Sequence, residues 1–406
     1  MSLLLAMAPM HAVAQEISRE RDPNAAVSVT ERARPEYDPL GMRLGGFDLN
    51  ASVGVGVTST DNVFASETDA QDDFVTYVRP DISLRSHWSR HALGFRAGGY
   101  SDSHADFSQD DVTDYYLGAD GRLDILTRSE VGGGVSTNRV HEMRTDPDTP
   151  LGIAEPVEYT RDNVYVYGSH SFNRLRLTAR VERNTYDYED TPLIGGGVLD
   201  QDYRDHDETA ESLRAEFALT PRWAALAEVS VNQREYDSDP TRDSDGSFVG
   251  LGVAFDVTNL LQGNILVTQY EQDYDDPNIG TVEGTGFIGH AEWFPTQLTT
   301  VNVDAARTAE DSAFVGASYI ETHVSARVDH ELRRNIVLSA GARLENRDYE
   351  GFEREDDLVG VDVGATYRAN RRVNFNANYG YRQNDSSFPG EDFEENRFTL
   401  GVSFHL

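Results

Sequence analysis

The side chains with polar chemistry in this chain stand at alternate positions, between apolar residues. In residues 78–85, Arg79, Asp81 and Arg85 occupy odd positions, and apolar residues occupy the even ones. A guanidinium donates directed pairs of hydrogen bonds to carboxylates and other polar oxygens, and a carboxylate accepts them. The same parity places a larger set on one polar face of their segments: Arg79, Asp81, Arg85, Arg96, Asp120, Arg122, Asp124, Arg180, Arg214, Glu216, Arg327, Arg343 and Arg368.

These residues match no known catalytic pattern. The sequence has no Cys and contains no G-x-S-x-G, H-E-x-x-H or P-loop motif. The 11 histidines are scattered, and His104, His141 and His206 lie near loops without partners that the spacing identifies. We therefore predict that the protein is not an enzyme and needs no cofactor.

Two acidic loop segments are candidates for cation binding. One contains Asp237, Asp239, Asp243 and Asp245, and the other contains Asp273, Asp275, Asp276 and Asn278. Neither matches the EF-hand loop, which needs Gly at its sixth position and Glu at its twelfth. Solvated loops are the favoured interpretation, and weak Ca²⁺ or Mg²⁺ bridging to lipopolysaccharide phosphate is the alternative. No dedicated metal site is predicted.

Alternation of this kind is typical of β-strands. From Gly46 to Val57, odd positions carry Phe, Leu, Ala or Val, and even positions carry Asp, Asn, Ser or Gly. Successive side chains of a strand point to opposite faces, so one face is apolar and the other polar. No run approaches the ~20 apolar residues of a membrane helix. A transmembrane β-barrel hides its lipid-facing residues in alternation, so the mean hydropathy of −0.53 does not exclude a membrane protein.

Short turns and longer acidic loops alternate between these segments. Eight short turns, near residues 89, 127, 173, 221, 259, 295, 333 and 370, alternate with nine loops, which predicts 18 strands with both ends on the short-turn side. An even strand number, short periplasmic turns and long external loops are typical of outer-membrane barrels. A soluble β-sandwich or repeat array would have to explain a lipid-like face on every strand. We predict an all-β, antiparallel, up-and-down transmembrane barrel.

Aromatic residues near the strand ends predict two girdles at the membrane interfaces. One set lies beside the short turns: Trp88, Trp223, Trp293, Phe172, Phe255 and Phe294. The other lies at the long-loop end: Tyr186, Tyr188, Tyr236, Tyr274 and Tyr349.

The chain ends on a strand with one apolar face, formed by Leu400, Val402, Phe404 and Leu406. Soluble proteins rarely expose such an edge, because it invites aggregation. The run is similar to the β-signal that the barrel-assembly machinery of the outer membrane reads. Gly401, Phe404 and Leu406 are therefore the predicted assembly signal.

The N-terminal part predicts processing rather than a domain. Residues 1–14 contain a short apolar core and end in Ala12-Val13-Ala14, which fits a signal peptide. Residues 15–41 are polar, contain three prolines and are predicted to be a periplasmic tether or plug, before a barrel over 42–406. The chain has 70 acidic and 35 basic residues, all of the latter arginine, and the net charge of −35 argues against a nucleic-acid partner.

Two loop tips are apolar within otherwise acidic loops: Thr149-Pro150-Leu151-Gly152-Ile153 and Thr191-Pro192-Leu193-Ile194-Gly195. They either fold inward as a constriction or pack on each other outside the barrel. The sequence leaves both arrangements open.

The approach to the first strand carries a family resemblance. It consists of residues 34–41 (RPEYDPLG), Gly45-Gly46-Phe47 and Asp61-Asn62-Val63-Phe64. These segments resemble the opening of the putative β-barrel porin 2 family of Gram-negative bacteria. The resemblance implies an outer-membrane barrel, and some members of that family are associated with capsule or exopolysaccharide export. It carries over no catalytic residues.

The inward charges allow two compatible interpretations: ion pairs that stiffen the wall, or a hydrated pore whose charges select solutes. An 18-stranded barrel is wide enough for an aqueous channel unless something fills it. We predict a porin-like channel for passive passage of hydrophilic solutes. The alternatives are an outer-membrane component of capsule or exopolysaccharide export, and an acidic surface anchor. The expected partners are outer-membrane lipid, lipopolysaccharide and the assembly machinery, with export proteins under the second interpretation, and the oligomeric state stays open.

Overall fold

The fold is described from a computed structural model, which describes residues 27–146, 149–150, 152–258, 260–277, 279–312, 318–351 and 353–406. The predicted signal peptide, residues 1–14, lies outside the described residues, as does the first part of the predicted tether, residues 15–26. Leu151, Asn259 and Asn278 also lie outside them.

Long antiparallel strands make up most of the described chain. The strands are β1 (Met42–Leu44), β2 (Phe47–Thr60), β3 (Asp73–Ser86), β4 (Ala92–His104), β5 (Thr113–Leu126), β6 (Ser129–His141), β7 (Glu158–Phe172), β8 (Leu175–Tyr188), β9 (Thr191–Pro192), β10 (Val198–Leu199), β11 (His206–Thr220), β12 (Trp223–Tyr236), β13 (Ser244–Asp256), β14 (Leu261–Tyr274), β15 (Thr281–Thr296), β16 (Thr299–Asp311), β17 (Ser318–Arg333), β18 (Ile336–Glu350), β19 (Glu355–Asn370), β20 (Val373–Ser386) and β21 (Phe393–His405). Within the described ranges the helices are three short 3-10 turns, Ser108–Asp110, Asp202–Arg204 and Pro240–Arg242, and no helix is long and apolar enough to cross a bilayer.

Among the described residues, eighteen long strands pair antiparallel in chain order and close into a barrel. Closure is made by β2 and β21, and β8 pairs directly with β11. Strand β1 pairs with the first residues of β2, along the part of that edge that β21 does not reach. Strand β3 pairs along the other edge of β2. Strands β9 and β10 form a separate hairpin within a loop. The 18-stranded barrel confirms the predicted fold.

The barrel has two distinct ends. We call the end with the short turns the turn end. It also contains Leu406, whose backbone N–H donates to the Ala51 carbonyl. The opposite end, here the loop end, carries the longer connections. At the turn between β7 and β8, Asn173 adopts a positive φ of 28°, which Asn tolerates better than most residues.

Outward positions carry the apolar residues that the alternation predicts. Leu117 and Leu251 are 50% and 65% exposed, and similar side chains recur on all sides of the barrel. A soluble monomer rarely exposes so large a contiguous apolar surface. An apolar outer surface of this kind matches the lipid of a membrane.

The predicted aromatic girdle at the loop end is wrong. Its five tyrosines share the inward face with the arginines and carboxylates: Tyr186, Tyr188, Tyr236, Tyr274 and Tyr349. At the turn end, Trp88, Trp223 and Trp293 are exposed, but Phe294 is buried. The prediction used only the distance of each aromatic residue from a turn. The face that a side chain occupies is decided by its parity within the strand.

Candidate solute pathway through the barrel

The residues predicted to line a pore all lie on the inward face of the wall. Arg79 is opposite Gly54, and Arg96 is opposite Ser83, and residues opposite each other in neighbouring strands share a face. The register gives the same face to the others: Asp81, Arg85, Asp120, Arg122, Asp124, Arg180, Arg214, Glu216, Arg327, Arg343 and Arg368.

Most of these inward charges are ion-paired with a neighbour in the wall. Arg214 is 5% exposed and donates to Glu216 and Glu228, each at 3.1 Å. Arg343 contacts Glu345 at 2.6 Å. Breaking a buried pair by removing one partner typically costs about 3–5 kcal/mol, so these pairs stiffen the wall. Further pairs are Arg180 with Glu182, Arg327 with Asp329, and Arg122 with Asp124.

Other members of the set are not ion-paired. In the described part of the chain, the side chains of Arg79, Arg85, Arg96 and Asp120 have no hydrogen-bond or ion-pair partner. Asp81 accepts a hydrogen bond from the Tyr116 hydroxyl. Sequence parity places all of these residues inside the barrel, but it does not distinguish paired from unpaired charges.

A cavity of about 1400 Å³ occupies the lumen. Arg79, Arg180, Arg327 and Arg343 line it, and it follows β21 from Phe393 to Ser403. Small or amide side chains from β2 and β18–β21 form one wall: Gly54, Ser339, Gly341, Gly360, Gly364, Asn376, Asn378, Gly380 and Ser403. Because these side chains project little, space remains along this side of the barrel.

The loop between β6 and β7 narrows the lumen at the loop end. Thr145 Oγ1 accepts a hydrogen bond from Arg382 Nη1 at 2.9 Å, and Asp146 lies 3.7 Å from Arg347. Arg347 and Arg382 belong to β18 and β20, far from β6 and β7 in the order of the barrel strands. Residues 143–146 therefore reach inward to another part of the wall and line the cavity.

The two apolar loop tips pack on each other. Ile153 and Leu193 form an isolated antiparallel bridge, and the Ile194 N–H donates to the Gly152 carbonyl at 2.9 Å. Ile153 is 1% exposed. The sequence left open whether the tips would constrict the lumen, and the inward contact comes instead from the polar residues that precede the first tip.

A second inward element is the loop end of β16. Its pairing with β15 stops at Arg307, opposite Phe287. Beyond that point, Asp311 accepts hydrogen bonds from Arg234 Nη1 and Tyr274 Oη, each at 2.5 Å. Arg234 and Tyr274 stand on the inward faces of β12 and β14. The end of β16 therefore leaves the wall and leans into the lumen.

The inward tyrosines anchor loops rather than contact lipid. The rings of Tyr186, His206 and Tyr236 stack side by side, with centroid distances of 4.5 and 4.8 Å. The Arg242 guanidinium, from a loop 3-10 turn, lies 4.4 Å from the centre of the Tyr236 ring. Such cation–π contacts are worth about 0.5–2 kcal/mol. His206 is occupied by this stack and by a hydrogen bond between Nδ1 and the Arg204 carbonyl.

The N-terminal segment closes part of the turn end. Arg34 is 1% exposed, and its Nη2 lies 2.8 Å from Glu331 Oε2 on β17. The Val29 N–H donates to Thr300 Oγ1 at 2.9 Å, and Arg371 donates to the Pro35 carbonyl. Sequence reasoning assigned this segment a tether or plug role but did not identify Arg34 or Glu331. The sequence feature that could have pointed to Arg34 is the family motif of residues 34–41, which begins with this residue.

The acidic loop residues act mainly as local hydrogen-bond acceptors. Asp239 caps a 3-10 turn by accepting from Thr241, and Asp243 accepts from the Tyr236 N–H. A different acidic group has oxygens within 4.8 Å of one another: Asp190, Asp200 and Asp202. All three are exposed. Asp190 comes ten residues before Asp200, and the two meet because the β9–β10 hairpin folds back.

The predicted assembly signal lies on β21, the strand that closes the barrel, and on Leu406, which follows it. Phe404 and Leu406 are 47% and 45% exposed and point outward, and Gly401 points inward. A Cβ on Gly401 would lie 2.5 Å from the Tyr77 hydroxyl, so a larger residue there would have to displace the Tyr77 side chain.

No curated protein matches the chain. Similar solved structures include OpdK from Pseudomonas aeruginosa, which is 11% identical with a TM-score of 0.47 over 88% of this chain and 99% of that one. OccK2 (OpdF) from Pseudomonas aeruginosa is 12% identical, with a TM-score of 0.47 over 89% and 99%. A BenF-like porin from Pseudomonas fluorescens Pf-5 is 12% identical, with a TM-score of 0.47 over 88% and 99%.

A family model described as putative beta-barrel porin 2 matches residues 34–406. This match includes the opening motifs and every strand of the barrel. The chain belongs to that family, as its opening motifs predicted, and it is a porin-type β-barrel of the bacterial outer membrane.

Proposed function

We propose that the protein lets hydrophilic solutes cross the outer membrane passively through the barrel lumen. The observation that carries this proposal is the cavity that follows β21 from Phe393 to Ser403 and has charged and polar side chains in its lining. At about 3.3 Å per residue, this stretch covers about 33 Å of strand. With a tilt of about 45°, it spans about 23 Å of the barrel axis, close to the ~25 Å apolar band of such barrels.

The basic experiment is single-channel recording of the refolded protein in planar bilayers, together with swelling of liposomes in arabinose. We expect stepwise currents and rapid swelling. If no voltage produces current and arabinose does not swell the liposomes, the channel proposal fails. The export-component or surface-anchor alternatives would then lead.

Substitutions on the small-residue wall test whether the described cavity is the pathway. A Cβ added to Gly360 or Gly380 would meet no atom closer than 3.9 Å, so each position tolerates a side chain. Gly380→Trp with Gly360→Trp should at least roughly halve the conductance, because it narrows the lumen. Ala377→Trp is the matched control, since Ala377 is on β20 but faces outward, opposite Leu400. Equal conductance in the two variants would place the pathway elsewhere.

A further inference from the structure

Four inward arginines differ from the ion-paired majority. Within the described ranges, Arg79, Arg85, Arg96 and Arg382 have no carboxylate oxygen within 4.0 Å. Arg382 donates only to the Thr145 hydroxyl, in the constriction at the loop end. The other three are exposed although they face inward, so they project into open lumen. A guanidinium stays charged at any physiological pH, so these four groups supply fixed positive charge.

These arginines follow one side of the lumen between its two ends. Arg79 and Arg85 are six residues apart on β3, or about 20 Å along the strand. Arg96, on β4, is opposite Ser83 and therefore lies between them. Arg382 lies nearer the loop end, on β20.

The part of the wall beside this row carries small side chains. Gly54 is opposite both Arg79 and Ser403. On the β2 side, therefore, no bulky side chain separates the Arg79 guanidinium from the cavity.

Acidic groups near the row do not cancel its charge. Asp81 stands between Arg79 and Arg85 but accepts a hydrogen bond from Tyr116, and Asp120 is opposite Gly94. Asp48, opposite Arg85, pairs with Arg43, and Glu395, opposite Arg382, pairs with Arg397. These two carboxylates therefore have other counter-charges. The chain as a whole carries −35. Because charges in salt are screened over about 8 Å, the acidic loops contribute little to the potential beside the row.

We propose that this arginine row selects small organic anions that carry a carboxylate, with sugar acids as the best-matched class. The proposal rests on the channel function proposed above. Each guanidinium offers paired donors that match a carboxylate, and the groups left free by the wall are available to a passing solute. The spacing lets an anion pass from one guanidinium to the next, and the amides and hydroxyls of the opposite wall remain for sugar hydroxyls.

The test compares uptake of labelled glucuronate and glucose, which differ by one carboxylate, into proteoliposomes. We expect the wild type to take up glucuronate faster. In the variant R79Q/R85Q/R96Q, the glucuronate-to-glucose ratio should fall several-fold while glucose uptake stays unchanged. These substitutions break no ion pair, and R79K/R85K/R96K should retain part of the preference because the charge remains. Arg183→Gln is the control for a lost arginine charge on the outer face of β8, where Arg183 pairs with Asp207.

The outcomes separate this proposal from the channel function. Entry of glucose with the same ratio in the wild type and in R79Q/R85Q/R96Q overturns the arginine row and leaves the channel intact. A wild type that prefers glucose also overturns it. If neither solute enters, the channel function fails, and the arginine row fails with it.

Discussion

At the scale of single residues, partners distinguish charges that the sequence makes equivalent. Arg214 and Arg96 both stand at inward positions, yet Arg214 is held by two glutamates and Arg96 has no side-chain partner in the described residues. Ion-paired arginines stabilise the wall, whereas unpaired ones are free to meet a solute. The role of each arginine therefore depends on its neighbours across the sheet, not on its type.

A pH prediction follows from Asp205, which lies in the loop just before β11. Burial raises the pKa of Asp205 from 3.8 to about 6, against the hydrogen bond from the Tyr188 N–H, which lowers it. Because the folded-state pKa is raised, this group's contribution to stability is full below 3.8 and is lost as the pH rises through about 6. Asp205→Asn should therefore raise the melting temperature at pH 7 and leave it unchanged at pH 3.5.

Melting curves of the wild type and the variant across this pH range measure the difference. Asp72→Asn, at an exposed loop carboxylate, is the control and should show no such pH dependence. A pH-independent difference between Asp205→Asn and the wild type would contradict the prediction.

At the scale of elements, three segments decide how open the barrel is. The loop between β6 and β7 and the end of β16 lean inward at the loop end, and the N-terminal segment covers part of the turn end. All three make polar contacts with the inner wall, and the N-terminal segment also buries Val29 completely. We expect single substitutions at these contacts to change how far each segment enters the lumen.

The ion pair between Arg34 and Glu331 should hold the N-terminal segment in place. Glu331→Gln leaves the Arg34 guanidinium buried without its counter-charge, which typically costs about 3–5 kcal/mol. We expect trypsin to cleave after Arg32 several-fold faster in this variant, and we expect the conductance to rise. Arg334→Gln is the control, because Arg334 is 56% exposed and lies 3.8 Å from Glu331. Equal cleavage in both variants would show that the ion pair does not hold the segment.

Strand β21 should be required for insertion. Phe404→Asp with Leu406→Asp places two carboxylates on the lipid face, each costing up to about 2 kcal/mol, depending on depth. We expect the amount in the outer membrane, measured by fractionation and blotting, to fall strongly. Ser403→Asp is the matched control, since Ser403 is on the same strand and faces the lumen. Normal levels of the double variant would remove β21 from the assembly role.

At the scale of the whole molecule, the two ends of the barrel should lie on opposite sides of the membrane. We expect the loop end outside, because long loops of such barrels are external and short turns are periplasmic. Tags inserted at residues 196 and 241 should bind antibody on intact cells, and a tag near residue 259 should bind only after permeabilisation. The glycines at 195–197 have positive φ and open surroundings, so an insertion there disturbs little. The reverse labelling would invert the proposed topology.

The barrel, its strand number and the inward face of the predicted pore-lining arginines and carboxylates could all be read from the amino-acid sequence. These features follow from period-two alternation and from the spacing of turns, which are local properties of the chain. The family resemblance also rests on short local motifs, and the match over residues 34–406 confirms it. Parity, applied to the aromatic residues, would have placed Tyr236 and Tyr274 inside as well.

The pairing of the charges and the entry of segments into the lumen became visible only in the three-dimensional fold. Arg382 meets Thr145 across 237 positions of the sequence, and Arg34 meets Glu331 across 297. Such contacts depend on which strands become neighbours when the barrel closes and on where each loop then finds a partner. Alternation carries no information about either, because every inward position has the same local pattern whether its side chain is paired or free.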